Sequence, residues 1–239
     1  MLYAFENKSQ LFFNKKIRLE TLTTKKVSIV LHFNYPKMEI KDRILEKAHE
    51  LYMRYGIKSI TMDEIAGHLG ISKKTIYQSY KDKDELVSAV FNRMINANKC
   101  ACEGGRDNSD NAIHEQFLCS DVVQEMFNKM NPSILHDINR YHPKVYGELE
   151  KHKKEFVFQM IKNNLQRGID EGLFRTDMKI DIIARLQLEV ISILHDTDFV
   201  HNYGLSTIEK ELNDFFLHGS VTSTGKELIN KYKQERENK

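Results

Sequence analysis

Proline, long apolar runs and paired cysteines are what this sequence has least of, and each shortage excludes something. Three prolines in 239 residues favour long helices over a Pro-rich or disordered chain. No apolar run approaches the roughly 18 residues of a membrane span. The richest stretch, Ile180 to Leu194, is interrupted by Arg185 and Glu189, so no membrane segment is expected. Cys100, Cys102 and Cys119 form no disulfide framework, and a reducing cytoplasm is the expected compartment. Buried or idle thiols are favoured over an oxidant- or metal-sensing Cys-x-Cys. No HExxH, nucleophile elbow or phosphate loop occurs. His195, Asp198 and His201 can be imagined as a metal site, but the two histidines are not four residues apart, and solvent-exposed histidines explain the ten present more simply. No catalytic residue, metal ligand or cofactor is therefore assigned, and the chain is not expected to be an enzyme.

The net charge of +2 hides an uneven distribution. Residues 1–37 carry Lys8, Lys15, Lys16, Arg18, Lys25, Lys26 and Lys37 against Glu6 and Glu20, which leaves the remainder slightly acidic. Any affinity for a polyanion must then come from a local basic face and not from bulk charge. The first 37 residues show no sustained helical period and no apolar core behind a basic start, so they read neither as a domain nor as a signal peptide. Two expectations stand for them: that Met38 is the natural start, or that they form a basic arm adding phosphate contacts.

The stretch from Thr61 to Leu86 is the most structured in its local signals. Thr61 with Glu64, and Asp82 with Glu85, have the spacing of capping boxes. Ile60 with Ile65, and Ile71 with Ile76, have the spacing of hydrophobic staples. Gly70 supplies a left-handed stop and Ser72 caps the next helix immediately. A helix, a glycine turn and a second short helix form the helix-turn-helix plan for DNA binding. In the second helix Ile76 faces Ile65, Ala66 and Leu69, which leaves Lys73, Lys74, Thr75, Tyr77, Gln78 and Ser79 to point outward. Three lysines and no acid between Ile71 and Lys81 suit phosphate. The alternative is a basic surface helix of an ordinary helical protein.

The run Thr61-x-x-x-Ile65-Ala66-x-x-x-Gly70-Ile71-Ser72-x-x-Thr75-Ile76-Tyr77-x-x-Tyr80-x-x-Lys83-x-x-Leu86 resembles the N-terminal domain of TetR/AcrR-type transcriptional regulators, over roughly residues 40–94. It departs from the common pattern at Lys74, Ser79 and Tyr80. The resemblance implies an all-α fold with an N-terminal three-helix DNA-binding domain (38–95) and a larger helical-bundle effector-binding and dimerisation domain (106–239). The expected contacts to double-stranded DNA are Thr61, Ser72, Lys73, Lys74, Thr75, Tyr77, Gln78, Ser79, Tyr80 and Lys83. Lys73, Lys74, Gln78 and Thr75 are candidates for base edges. Thr61, Tyr77 and Lys83 are candidates for the backbone.

Ahead of that run, a helix is predicted from about Glu39 to Tyr55, stopped by Gly56. Another runs from about Lys83 to Lys99, and Glu103 to Ser109 reads as a loop and domain boundary. Beyond it helices are expected over about Asn111–Met130, a short one after Pro132, Pro143–Glu171, Ile180–His195 and Ser206–Ser220, followed by a tail that starts helically and frays. Ile180–His195 carries apolar residues around much of its circumference, and in Ser206–Ser220 they repeat at helical spacing. Leu186, Val190, Ile193, Leu194, Ile208, Leu212, Phe215, Phe216 and Gly219 are the candidate dimer interface, with a monomeric core as the alternative. The resemblance implies a homodimer joined by paired helices, and a small-molecule pocket for which Phe117, Met126, Phe127, Met130, Tyr141, Phe156, Met160 and Ile191 are candidate walls. It implies a repressor of a palindromic operator released by an effector. A constitutive DNA-binding protein without effector is the alternative, and an all-helical enzyme a more distant one.

Overall fold

A computed structural model of the chain describes residues 39–190, 193 and 197–237. Residues 1–38, including both expectations for the N-terminal segment, and Ile191, Leu194 and His195 lie outside the described residues.

The first four helices are set by their ends. α1 (Ile40–Tyr55) stops at Gly56, whose N–H donates to the Tyr52 carbonyl at 2.9 Å. α2 (Met62–Leu69) opens on a complete capping box. The Thr61 hydroxyl accepts from the Glu64 N–H at 3.2 Å, and the Glu64 carboxylate accepts from the Thr61 N–H at 2.6 Å. Gly70 closes α2 at φ +64°, a left-handed conformation that costs glycine little. Ser72 then caps α3 (Lys73–Ser79) through the Thr75 N–H at 3.1 Å. α4 (Lys83–Asp107) is capped by Asp82, which accepts from the Glu85 N–H at 2.8 Å. Here the expected box is shifted: the Glu85 carboxylate returns to the Lys81 N–H, one residue upstream of the cap.

α4 also runs on through Glu103-Gly104-Gly105, where the composition predicts a loop. Each glycine costs about 1 kcal/mol relative to alanine in a helix. Packing on α5 (Ala112–Lys129) offsets this. Cys102 is buried there, and a Cβ on Gly105 would stand 3.6 Å from the Cys119 sulfur. The helix ends instead where the Asn108 side chain donates to the Gly104 carbonyl at 2.6 Å.

The rest is helical as well: α6 (Ser133–Tyr141), α7 (Pro143–His152), a π-helical turn at Lys153–Val157 and α8 (Phe158–Asp170). The last three form the long rod read from the sequence, and Gly172 turns the chain after it at φ +70°. α9 (Ile180–Val190), α10 (Thr197–Tyr203), α11 (Leu205–Ser220) and α12 (Ser223–Glu237) follow. α10 has no counterpart in the sequence reading. The tail differs too. α12 stays helical to Glu237 because Lys233 pairs with Asp214 at 2.6 Å and Arg236 donates to the Phe117 carbonyl at 2.9 Å and to Asp121. Among the described residues there is no strand, only an isolated bridge between Phe174 and Val221. No described helix is long and apolar enough to cross a membrane.

Two apolar cores organise these helices. One joins α1 to α4 with Met130, Ile134, Ile138 and Val145, and with Val200, Leu205 and Ile208 of α10 and α11. The other packs α5, α8, α9, α11 and α12 around Ile113, Leu165, Leu188 and Ile229.

Candidate nucleic-acid interface and effector cavity

α3 is a rod of about 10 Å, anchored by Ile76, which is fully buried. At 100° per residue, Lys74 and Gln78 both lie about 160° from Ile76, at the outermost line of the helix. Both are exposed and hold no hydrogen bond or ion pair among the described residues. Lys73 and Tyr77 flank that line on one side. Lys73 pairs with Asp63 of α2 at 2.7 Å, which raises its pKa, and lies 6.0 Å from the centre of the Tyr77 ring. This ion pair joins two exposed groups and is weakly held, so the ammonium is available to an incoming phosphate.

Other expected contacts are placed differently. Tyr80 is buried at 2 % exposure, with its hydroxyl 3.4 Å from the Lys41 carbonyl; it belongs to the core and not to a DNA surface. Lys83 is only half-buried, but its ammonium donates to the Ile57 carbonyl at 2.6 Å and burial lowers its pKa. It ties α4 to the turn after α1, so its first role is structural. The Ser72 and Thr75 hydroxyls stand 2.8 Å apart and serve the α3 cap. Ser79 is half-buried and donates to the Thr75 carbonyl at 3.3 Å. Thr61 is exposed at the α2 cap.

Below the head, four polar contacts join it to the second half of the chain. The Lys58 N–H donates to Asp137 at 3.0 Å, and the Asn131 N–H to the Met53 carbonyl at 2.8 Å. The Asn131 side chain reaches the Arg54 carbonyl at 3.2 Å, and Asp84, in the first turn of α4, lies 2.7 Å from Nδ1 of the buried His142. These contacts couple residues 58 to 79 positions apart, which sequence spacing does not reveal.

A cavity of about 150 Å³ lies between α5, the π-helical turn, α8, α9 and α11. Of the expected wall residues it brings together Phe127 and Met160. Phe117 and Met130 are instead buried in the second and first cores, and Tyr141 is 40 % exposed at the surface of α6. Met126 and Phe156 are half-buried away from the cavity. The sequence reading missed the polar wall. Glu209 accepts from the Ser120 hydroxyl at 3.1 Å, Gln124 donates to the same hydroxyl at 3.0 Å, and Gln116 donates to Asn213 at 2.7 Å. Glu115, 3 % exposed, is paired with Arg167 at 2.9 Å. Desolvation raises the pKa of Glu209, and the charge of Asp121 adds to the rise.

The candidate dimer residues divide in two. Leu186 (51 % exposed), Ile193, Phe215 (74 %) and Gly219 face outward, joined by Ile182. Ile208 is core, while Val190, Leu212 and Phe216 line the cavity, so these four face their own chain. Asp198 and His201 are both exposed, and among the described residues no cluster has the makings of a metal site.

A short basic helix held outward by a capped helix pair, on an all-helical body, defines a helix-turn-helix transcriptional regulator. Residues 44–90 match the family model of bacterial regulatory proteins, tetR family. The HTH-type transcriptional regulator YvaF of Bacillus subtilis (strain 168), itself described as uncharacterized, is 31% identical over 182 residues, spanning 74% of this chain and 93% of that protein. The chain belongs to the TetR family of transcriptional regulators. Among the solved structures that share its fold are two with a bound small molecule. The SmeT–triclosan complex, SmeT being the Stenotrophomonas maltophilia repressor of the multidrug efflux pump SmeDEF, superposes with TM-score 0.59 at 18% identity, over 77% of this chain and 92% of that one. A putative regulator from Saccharomonospora viridis in complex with choline gives TM-score 0.59 at 20% identity, over 76% and 97%.

Proposed function

We propose that this regulator is a homodimeric repressor that binds a palindromic operator through α3 and leaves it when a small molecule occupies the α5–α8–α9–α11 cavity. The observation that carries the reading is the outward line of α3, with Lys74 and Gln78 exposed opposite buried Ile76. Lys74 suits a guanine edge and Gln78 an adenine edge in the major groove. Lys73 and Tyr77, on one flank, suit the phosphates of one strand.

Two copies joined through the exposed stripe Ile182, Leu186 and Ile193 and through Phe215 and Gly219 would present two such helices to one duplex. Ligand control is supported by the position of the cavity. Phe127 and Leu212 line it and also pack against the core that holds α1 to α4. A ligand that displaces them shifts the heads, provided it binds the released arrangement more tightly than the DNA-bound one. Proteins of the same fold have been solved with triclosan and with choline, which supports a small-molecule ligand.

The test is selection of bound fragments from the source genome by the purified protein, followed by gel shifts with and without metabolite extracts. Specific fragments released by a small-molecule fraction are expected. Specific binding that no fraction disturbs would favour a constitutive DNA-binding protein, and the absence of any selected fragment would overturn the reading.

A further inference from the structure

The polar wall of the cavity points to the chemistry of its occupant. Of the two carboxylates that line it, Glu115 is already neutralised by Arg167 at 2.9 Å. Glu209 is held only by neutral groups, the Ser120 hydroxyl at 3.1 and 3.3 Å and the Gln124 amide behind it, and has no cationic partner among the described residues. A half-buried carboxylate without a counter-charge is costly. The rest of the lining includes the Phe127 and Phe216 rings and the Met160 thioether, groups that attract a cation and tolerate a hydrocarbon body. The volume of about 150 Å³ is that of a cavity known to hold benzene and is below the usual range for drug-sized ligands.

We infer that the cavity takes a small organic monocation, an ammonium head on an apolar body of about benzene size, with Glu209 as its counter-charge. This rests on the proposal that the cavity is the effector site and adds the class of effector. Anionic metabolites are excluded by the same carboxylate. The other titratable groups facing Glu209 or sharing the cavity are Glu115, bound to Arg167, Asp121, bound to Arg236, and Cys119, whose thiol is pushed up by its contact with Cys102 and by burial. None of them supplies a positive charge. Because the head needs the ionised carboxylate, affinity falls as the pH is lowered through the raised pKa of Glu209.

The experiment is calorimetric titration of the full chain with benzylammonium, benzyl alcohol and benzoate, at neutral and mildly acidic pH, on the parent protein and on Glu209→Gln. Benzylammonium is expected to bind about tenfold or more tighter than benzyl alcohol, with benzoate not binding. Acidification should weaken the ammonium and not the alcohol, and Glu209→Gln should erase the difference. Equal binding of ammonium and alcohol, a preference that survives in Glu209→Gln, or no saturable binding of benzylammonium at millimolar concentration overturns the inference. The pH series on the parent protein decides it without reference to how the variant folds. Gel shifts run beside it separate the two claims: benzylammonium that binds through Glu209 but leaves the operator complex intact upholds the site and overturns ligand control.

Discussion

Glu209 and Lys83 show how one side chain can be assigned from its surroundings. The ordinary carboxyl pKa of 4.5 applies to the unfolded chain, and burial raises it in the fold. Between the two values the folded state binds more protons, so stability falls as pH rises through that window, and the cost remains at neutral pH. Glu209→Gln is therefore expected to raise the melting temperature at neutral pH. The gain should vanish as the pH drops below the unfolded value, which scanning calorimetry across pH reads directly. Lys83 gives the opposite kind of case. Its ammonium closes on the Ile57 carbonyl, so Lys83→Met should lower the denaturation midpoint and leave the salt dependence of DNA binding unchanged. A lysine used on phosphate would instead reduce the slope of log affinity against log salt by about 1.

At the scale of elements, the parts legible in the sequence are those written within one turn of chain. The Thr61–Glu64 box, the Gly70 stop and the Ser72 cap form as predicted, because each is written within a few residues of the group it serves. Where the signal had to be weighed against distant packing, the reading went astray. Gly104-Gly105 stays helical because α5 packs against Gly105, the tail stays helical because Asp121 and Asp214 hold it, and Tyr80 turns inward to the core. The cavity's polar wall was illegible for the same reason: Ser120 and Glu209 are 89 residues apart. Gly168 is another such position. A Cβ there would lie 2.2 Å from the Phe174 ring, so α8 can approach the chain after it only without a side chain. Gly168→Ala should cost about 1–3 kcal/mol in urea denaturation, with α3 and its DNA-reading face intact.

At the scale of the whole molecule, the proposed repressor depends on a second copy that covers the outward apolar stripe. Phe215, at 74 % exposure, is the most solvent-exposed large apolar side chain on it. Phe215→Asp adds no strain to the core but places a charge in the proposed interface. Sedimentation should show monomer where the parent protein is dimer, and operator affinity should fall because the two heads then bind separately. A variant that remains dimeric would mean that the copies meet elsewhere.

The most direct measurement is chemical protection of guanine N7 in the major groove of a selected operator, with the parent protein and with Lys74→Ala and Gln78→Ala. The account predicts two protected patches related by a two-fold axis, about 34–36 Å or a small multiple of that apart. Lys74→Ala should relax guanine protection at one position per half-site, Gln78→Ala should relax the preference for adenine at one position while leaving the guanine pattern in place, and each should cost about 1–3 kcal/mol in affinity. A single patch without a two-fold mate, or protection unchanged when both side chains are removed, would contradict it.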